Sequence, residues 1–231
     1  MTGPATGPIL ALDTATDQAA VAVVDGLGAA LALRHWASGR RHTVELAPTV
    51  RDLLLEAGVA PAELAAVAVA IGPGSYTGLR IGLALAKGLA LATGCLVVGI
   101  PTLDIVAAAC SPPFMPRDVD LWALLAAGRG RMIACRYPPP AQRGGLDGVR
   151  PGDWPDPAAT RAEPPQAVLA GLNAPAWAAG ELTPELVDAL EARGLRALPR
   201  PRDPRLLAGL ARARLASGWR DDPALSPIYA S

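Results

Sequence analysis

The stretch from residue 70 to residue 93, AIGPGSYTGLRIGLALAKGLALAT, constrains this chain more than any other. An apolar run, Val67-Ala68-Val69-Ala70-Ile71, has the length and composition of a buried strand. Gly72-Pro73-Gly74 breaks it, because glycine allows backbone angles and close approaches that a side chain forbids. Ser75 or Thr77 can then cap a helix by accepting a bond from its orphan amides. A strand, a glycine loop and a helix in this order can cradle an anion. The loop is neither GxxxxGK[ST], since Lys87 comes too late, nor GxGxxG, so packing and partner contact rank ahead of phosphate binding.

The predicted helix is apolar on two faces. One stripe reads Gly78, Ile81, Gly82, Leu85 and Leu89, which suits close packing on a sheet; the other reads Leu79, Leu83, Ala86 and Ala90. Arg80 and Lys87 are its charged residues. A helix apolar all round is buried on all sides, in its own domain or against another chain. The pattern therefore predicts a protein–protein interface on this helix.

Around it the chain reads as alternating strands and helices. Residues 1–8 form a loose Gly/Pro/Thr tail, and strands follow at 9–13, 19–24 and 28–36, with Asp25-Gly26 as a hairpin signal. A helix runs from 43 to 57 with its regular part starting nearer Thr49, because Pro48 sits inside it; Gly58 ends it. After a helical turn at 61–64 come the strand and helix described above, a strand at 96–100, and a helix at 103–110 capped by Thr102. Three strands followed by helix–strand crossovers are the layout of a ribonuclease-H-like lobe.

Ser111-Pro112-Pro113 and Pro116 mark a boundary, giving lobes at 9–110 and 111–231. Strands at 120–126 and 131–137 flank a Gly-Arg-Gly turn. Residues 138–165, dense in Pro, Gly and Asp, predict a mobile loop. Thr183-Pro184-Glu185 opens a helix that Gly194 stops, and Asp203-Pro204 opens another over 205–217. No sequence repeat is visible.

Composition excludes several classes. The 231 residues are 51% apolar but only 4% aromatic, so Ala, Leu and Val must fill the core. The net charge is zero and evenly spread, with no basic stripe of the kind that binds nucleic acid autonomously. Cys95, Cys110 and Cys135 are odd in number, widely spaced and set among apolar residues, which reads as buried thiols in a reducing cytoplasm rather than disulfides or ligands. The greasy stretch over 81–100 is interrupted by Lys87, Gly88, Gly94 and Gly99, so no membrane span is expected.

Little catalytic machinery can be assembled. Asp13 and Thr14 end the first strand at a turn, where an acid can hold a magnesium-bound water near a nucleotide phosphate or simply cap the turn. His35 and His42 do not have metal-ligand spacing, and His42 is read as capping or packing at its helix entry. Ser75 lies in GPGSYTG, which is not a GxSxG nucleophile elbow. No catalytic residue and no metal site are predicted.

The eleven residues Gly72-Pro73-Gly74-Ser75-Tyr76-Thr77-Gly78-Leu79-Arg80-Ile81-Gly82 resemble the signature of the TsaB (YeaZ) family. Ile9 to Thr16, His42-Thr43 with Leu46 and Pro48, and Pro101-Thr102-Leu103 also match that family. The second half is less similar: Ala126 or Ala127 stands where relatives carry an acid before the Gly128–Arg131 turn, while Pro227-Ile228-Tyr229 matches a family Pro-x-Tyr ending.

The resemblance implies an α/β, actin/hexokinase/Hsp70-like (ribonuclease-H-like) two-lobed fold with a reduced second lobe. It further implies a non-catalytic subunit, a homodimer when alone, that pairs through the same helix with the catalytic paralogue TsaD. The ATPase TsaE joins them to attach threonylcarbamoyl to an adenosine beside the tRNA anticodon, and tRNA is met only through the complex. TsaD carries the metal-binding histidine pair that this chain lacks, and no cofactor is expected here. Asp13-Thr14 becomes a vestigial nucleotide site, because Ala15 replaces the glycine that nucleotide-using members of the fold tend to carry. Tyr76, Thr77, Leu79, Arg80, Leu83 and Lys87 become the expected interface. The rival readings are an ATP-dependent transferase or phosphotransferase using Asp13, a peptidase, and a stand-alone dimeric scaffold.

Overall fold

The computed structural model describes residues 6–39, 41–110, 116, 118–139, 160–218 and 224–230. The expected tail over 1–8 and loop over 138–165 lie partly outside them.

The first sheet begins with a meander of β1 (Ile9–Asp13), β2 (Gln18–Val24) and β3 (Ala30–Ala37). Helix α1 (His42–Glu56), β4 (Ala66–Gly72), α2 (Tyr76–Thr93) and β5 (Leu96–Pro101) follow. The strand order is β3-β2-β1-β4-β5, with β4 and β5 parallel to β1. The regular part of α1 begins before Pro48, not after it. The carbonyl that the missing N–H would have met belongs to Val44, which is exposed, so water can satisfy it. The greasy stretch over 81–100 divides at Gly94, a left-handed cap on α2. Among the described residues no helix is long and apolar enough to cross a membrane.

Strand alternation sorts the two faces of this sheet by size. Leu10, Leu12, Val21, Val23, Val67 and Val69 face α1 and α2. Ala11, Ala22, Ala66, Ala68 and Ala70 face the other way, and their small side chains let a helix approach closely. The helix that takes this place is α6 (Pro204–Ala216), which lays Leu207, Ala208, Leu210, Ala211 and Leu215 onto the alanine face. In chain order α6 belongs to the expected second lobe at 111–231, but by packing it covers the first sheet. Helix α3 (Thr102–Ala108), buried at all seven residues, lies beside it and packs against both sheets. Thr102 is its first helical residue and not a cap; its Oγ1 makes no hydrogen bond.

The second sheet repeats the first strand for strand. β6 (Asp120–Ala127), β7 (Arg131–Tyr137) and the two-residue β8 (Ala162–Glu163) form a meander. Helix α4 (Pro165–Gly171), β9 (Ala176–Gly180), α5 (Pro184–Glu191) and β10 (Arg196–Pro199) complete it. The order β10-β9-β6-β7-β8, with β9 parallel to β6 and β10 parallel to β9, is the topology of the first sheet. No sequence repeat announces this, because each sheet is filled by whichever small apolar residues fit it. β8 to β10 and α4 escape the sequence reading: Ala-Trp-Ala-Ala-Gly has poor strand propensity, and only burial between neighbours makes it a strand. Cys95, Cys110 and Cys135 are buried, as expected.

Candidate functional site

The carboxyl ends of β1 and β9 meet where the two halves face each other. Asp13 closes β1 and is buried; its Oδ1 accepts the Ala15 amide at 3.0 Å, in a turn-capping geometry. Its Oδ2 accepts Nε of Arg202 at 2.7 Å. Arg202 stands between β10 and α6 and is only 3% exposed. Its Nη1 donates to Glu181 Oε1 at 2.8 Å, and its Nη2 to Thr16 Oγ1 at 2.9 Å and to the Gln18 carbonyl at 3.2 Å. Burial draws the guanidinium pKa down, and the Asp13 and Glu181 carboxylates more than offset this, holding it above its ordinary value.

The glycine loop after β4 is filled by the turn after β1. Ser75 donates its amide to the Ala15 carbonyl at 2.6 Å, and its hydroxyl caps α2 by accepting the Gly78 amide at 3.2 Å. A Cβ at Gly74 would strike the Ala15 carbonyl, and one at Gly78 the Thr14 carbonyl. A Cβ at Gly82 would lie 2.5 Å from Thr14 Oγ1, which donates to the Gly78 carbonyl at 2.7 Å. These glycines let a helix end and a turn share one space, so the turn after β1 packs directly on the start of α2. The metal of a nucleotide, which the fold class implies at these strand ends, does not fit, because both oxygens of Asp13 are already engaged.

His42, the first residue of α1, is buried and neither ring nitrogen makes a hydrogen bond; the Thr16 backbone approaches without bonding geometry. It packs at the helix entry and does not cap. Burial holds its pKa below the ordinary histidine value, against the pull of Asp17, Glu45, the Thr16 backbone and Asp13. Among the described residues no group of three His, Cys, Asp or Glu side chains could hold a metal.

The outer side of α2 carries the remaining expected residues. Tyr76, Thr77, Arg80 and Lys87 are exposed, in line with Ala84 and Leu91, the latter 91% exposed. Leu79 and Leu83 are not on this face: both are buried in the chain's own cores, Leu79 on the α6 side and Leu83 against α1 and β4. Both apolar stripes of the helix are thus largely turned inward, and a separate stripe of mixed character faces outward. Gly88 and small Ala84 lie in that stripe.

A segment that the sequence reading left at the chain end completes the surface. The Ile228 amide donates to the Ile71 carbonyl at 2.7 Å, and Ile228's own carbonyl sits over Gly72, where a Cβ would collide with it. Tyr229 stacks on Tyr76 with ring centroids 5.0 Å apart. Arg80 donates Nε to Tyr229 Oη at 2.9 Å while its guanidinium lies 4.0 Å from the centroid of the Tyr76 ring. Arg202 and Glu181 have no local signal in the sequence, since their roles exist only through contacts far along the chain, whereas Tyr229 is marked only by its Pro-x-Tyr setting.

Two matching mixed sheets around α3 and α6, joined at their strand ends through Arg202, define a two-lobed α/β protein of the actin/hexokinase/Hsp70 class. A family model described as TsaD, tRNA N6-adenosine threonylcarbamoyltransferase, matches residues 36–143. The Escherichia coli (strain K12) tRNA threonylcarbamoyladenosine biosynthesis protein TsaB is 37% identical over 109 residues, 43% of this chain and 42% of that one. The chain thus spans less than half the length of the curated relatives it matches. Among solved structures, YeaZ from Pseudomonas aeruginosa superposes with a TM-score of 0.68 at 26% identity, over 96% of this chain and 99% of that one. A second Pseudomonas aeruginosa structure, described as an uncharacterized protein with similarity to peptidase YEAZ, gives 0.71 at 27%, over 97% and 100%. In sequence over less than half its length, and in structure over nearly all of it, the chain is similar to proteins of the TsaB/YeaZ family.

Proposed function

We propose that this chain is a non-catalytic subunit in the synthesis of threonylcarbamoyladenosine on tRNA. It binds a TsaD-type transferase, with TsaE joining, and stabilises the transferase's competent form; tRNA is met through that complex, in the cytoplasm. One observation carries this reading. The family block at 72–82 is spent on an internal joint with the β1 turn and on an outward helix face, and it aims no reactive group into a cleft. A partner that binds only the competent conformer of the transferase shifts its population without doing chemistry.

The interface is the exposed stripe of α2, through Tyr76, Thr77, Arg80, Ala84, Lys87 and Leu91, extended by Tyr229. Without the transferase the same stripe pairs two copies of this chain. The test is threonylcarbamoyl transfer to tRNA by TsaD and TsaE from the same source, with and without this chain. Loss of turnover on omission, and again with Ala84→Arg, supports the reading. Unchanged turnover on omission overturns it in favour of a stand-alone scaffold. ATP hydrolysis by the purified chain that Asp13→Ala abolishes overturns it in favour of a phosphotransferase.

A further inference from the structure

The Arg202 cluster is out of proportion to a surface ion pair. A guanidinium removed from water is costly unless its donors are met, and here each kind of nitrogen has an acceptor. Asp13, Thr16 and Gln18 come from the first sheet, whereas Glu181 follows β9 of the second. One side chain therefore joins the ends of two strands that belong to opposite halves. It does so beside the β1 carboxylate, where a member of this fold class that uses nucleotide needs a divalent cation near phosphate.

We propose that the Arg202 guanidinium is a built-in occupant of the cation position in this cleft, turning the space between the halves into a fixed joint. A divalent cation and a guanidinium compete for the same Asp13 oxygen, and neither can approach while the other is bound without like-charge repulsion. At the start of α2 the carbonyls of Thr14 and Ala15 press against Gly78 and Gly74, so the turn sets oxygens, which repel an anion, beside the helix end that phosphate would approach. Arg202 rather than a ligand thus sets the spacing of the halves, and magnesium nucleotides do not move them. This inference stands apart from the partner reading and holds whether or not a transferase binds α2.

The test is thermal unfolding of the full chain and of Asp13→Asn, Arg202→Ala and the double variant, each with and without magnesium ion and Mg-ATP. Removing Arg202 leaves Asp13 buried without its counter-ion, so Arg202→Ala melts about 10 °C lower, and the double variant recovers part of that loss. Magnesium raises the midpoint of Arg202→Ala and leaves the wild type and the double variant unmoved. Should Arg202→Ala fail to fold without the metal, refolding yield with and without magnesium reads the same contrast, and a yield that magnesium does not raise overturns the proposal. Additive losses in the two single variants overturn it. So does a folded Arg202→Ala that ignores magnesium, or a wild-type midpoint that Mg-ATP raises and Asp13→Asn abolishes.

Discussion

Tyr137 donates its hydroxyl to Oδ1 of Asp104 at 2.8 Å, fastening the second sheet to the buried helix α3. On its other side, Oδ2 of Asp104 lies 3.6 Å from Nη2 of Arg214 on α6, which also donates Nη1 to the Gly99 carbonyl. Burial raises the Asp104 pKa to about 7, even though the Tyr137 hydrogen bond and Arg214 both pull it down. The carboxyl between the two sheets is thus half-protonated near neutrality.

This gives stability a defined pH dependence. Between the unfolded value near 4 and the folded value of about 7, the native state keeps a proton that the unfolded chain has released. Stability is therefore fully supported by this group below the unfolded value and is lost as pH rises through the folded one, at up to about 1.4 kcal/mol per pH unit. Asp104→Asn removes that slope. Urea unfolding of both proteins across pH 4 to 8 reads the difference; parallel profiles refute the assignment.

His42 acts with the opposite sign. Its folded pKa is depressed, so its contribution is present above the ordinary histidine value and is lost as pH falls through the folded one. The wild type loses stability below about pH 6.5 more steeply than His42→Phe, which carries no proton there. NMR titration of the imidazole checks the direction, and an ordinary or raised value rejects it.

Two glycines on α2 separate packing from propensity. At Gly78 an added methyl strikes the Thr14 backbone, and Gly78→Ala loses about 1–3 kcal/mol. At Gly88 nothing lies within 4 Å, and Gly88→Ala gains roughly 0.5–1 kcal/mol from helix propensity. Denaturant midpoints decide it; equal effects mean that the turn after β1 does not press on the helix.

Neighbouring positions on α2 also distinguish core from interface. Leu83→Arg buries an unpaired charge against α1 and costs on the order of 4 kcal/mol, so it reports on folding. Ala84→Arg, on the exposed stripe, leaves stability within about 0.5 kcal/mol and abolishes association, read as mass by light scattering. Association that survives Ala84→Arg places the interface elsewhere.

The chain end is tested at Tyr229. Tyr229→Ala removes both the stack on Tyr76 and the acceptor for Arg80, at a cost of about 1 kcal/mol, and speeds hydrogen exchange at the Ile228 amide. Tyr229→Phe keeps the stack and falls between the two. Unchanged exchange in Tyr229→Ala means that the ring does not hold the segment.

Local signals determined much of the first half. Continuous apolar runs set β1, β2, β4 and β5, and turn or cap residues such as Ser75, Thr183 and Asp203 set helix starts. Asp13 and the Gly72–Gly82 block marked the right neighbourhood because glycine and strand-end acids are constrained by nearest neighbours. Tertiary structure alone decided the rest. An all-apolar helix has no marker for which leucines turn inward, so Leu79 and Leu83 became core only once α1, β4 and α6 were in place. The alanine face of the first sheet recruited α6 from the far end of the chain, and Ala176–Gly180 became a strand by burial. Arg202 found Asp13 across 189 positions. Such pairings depend on where distant backbone ends arrive, and a period of two or of 3.6 residues carries no information about that.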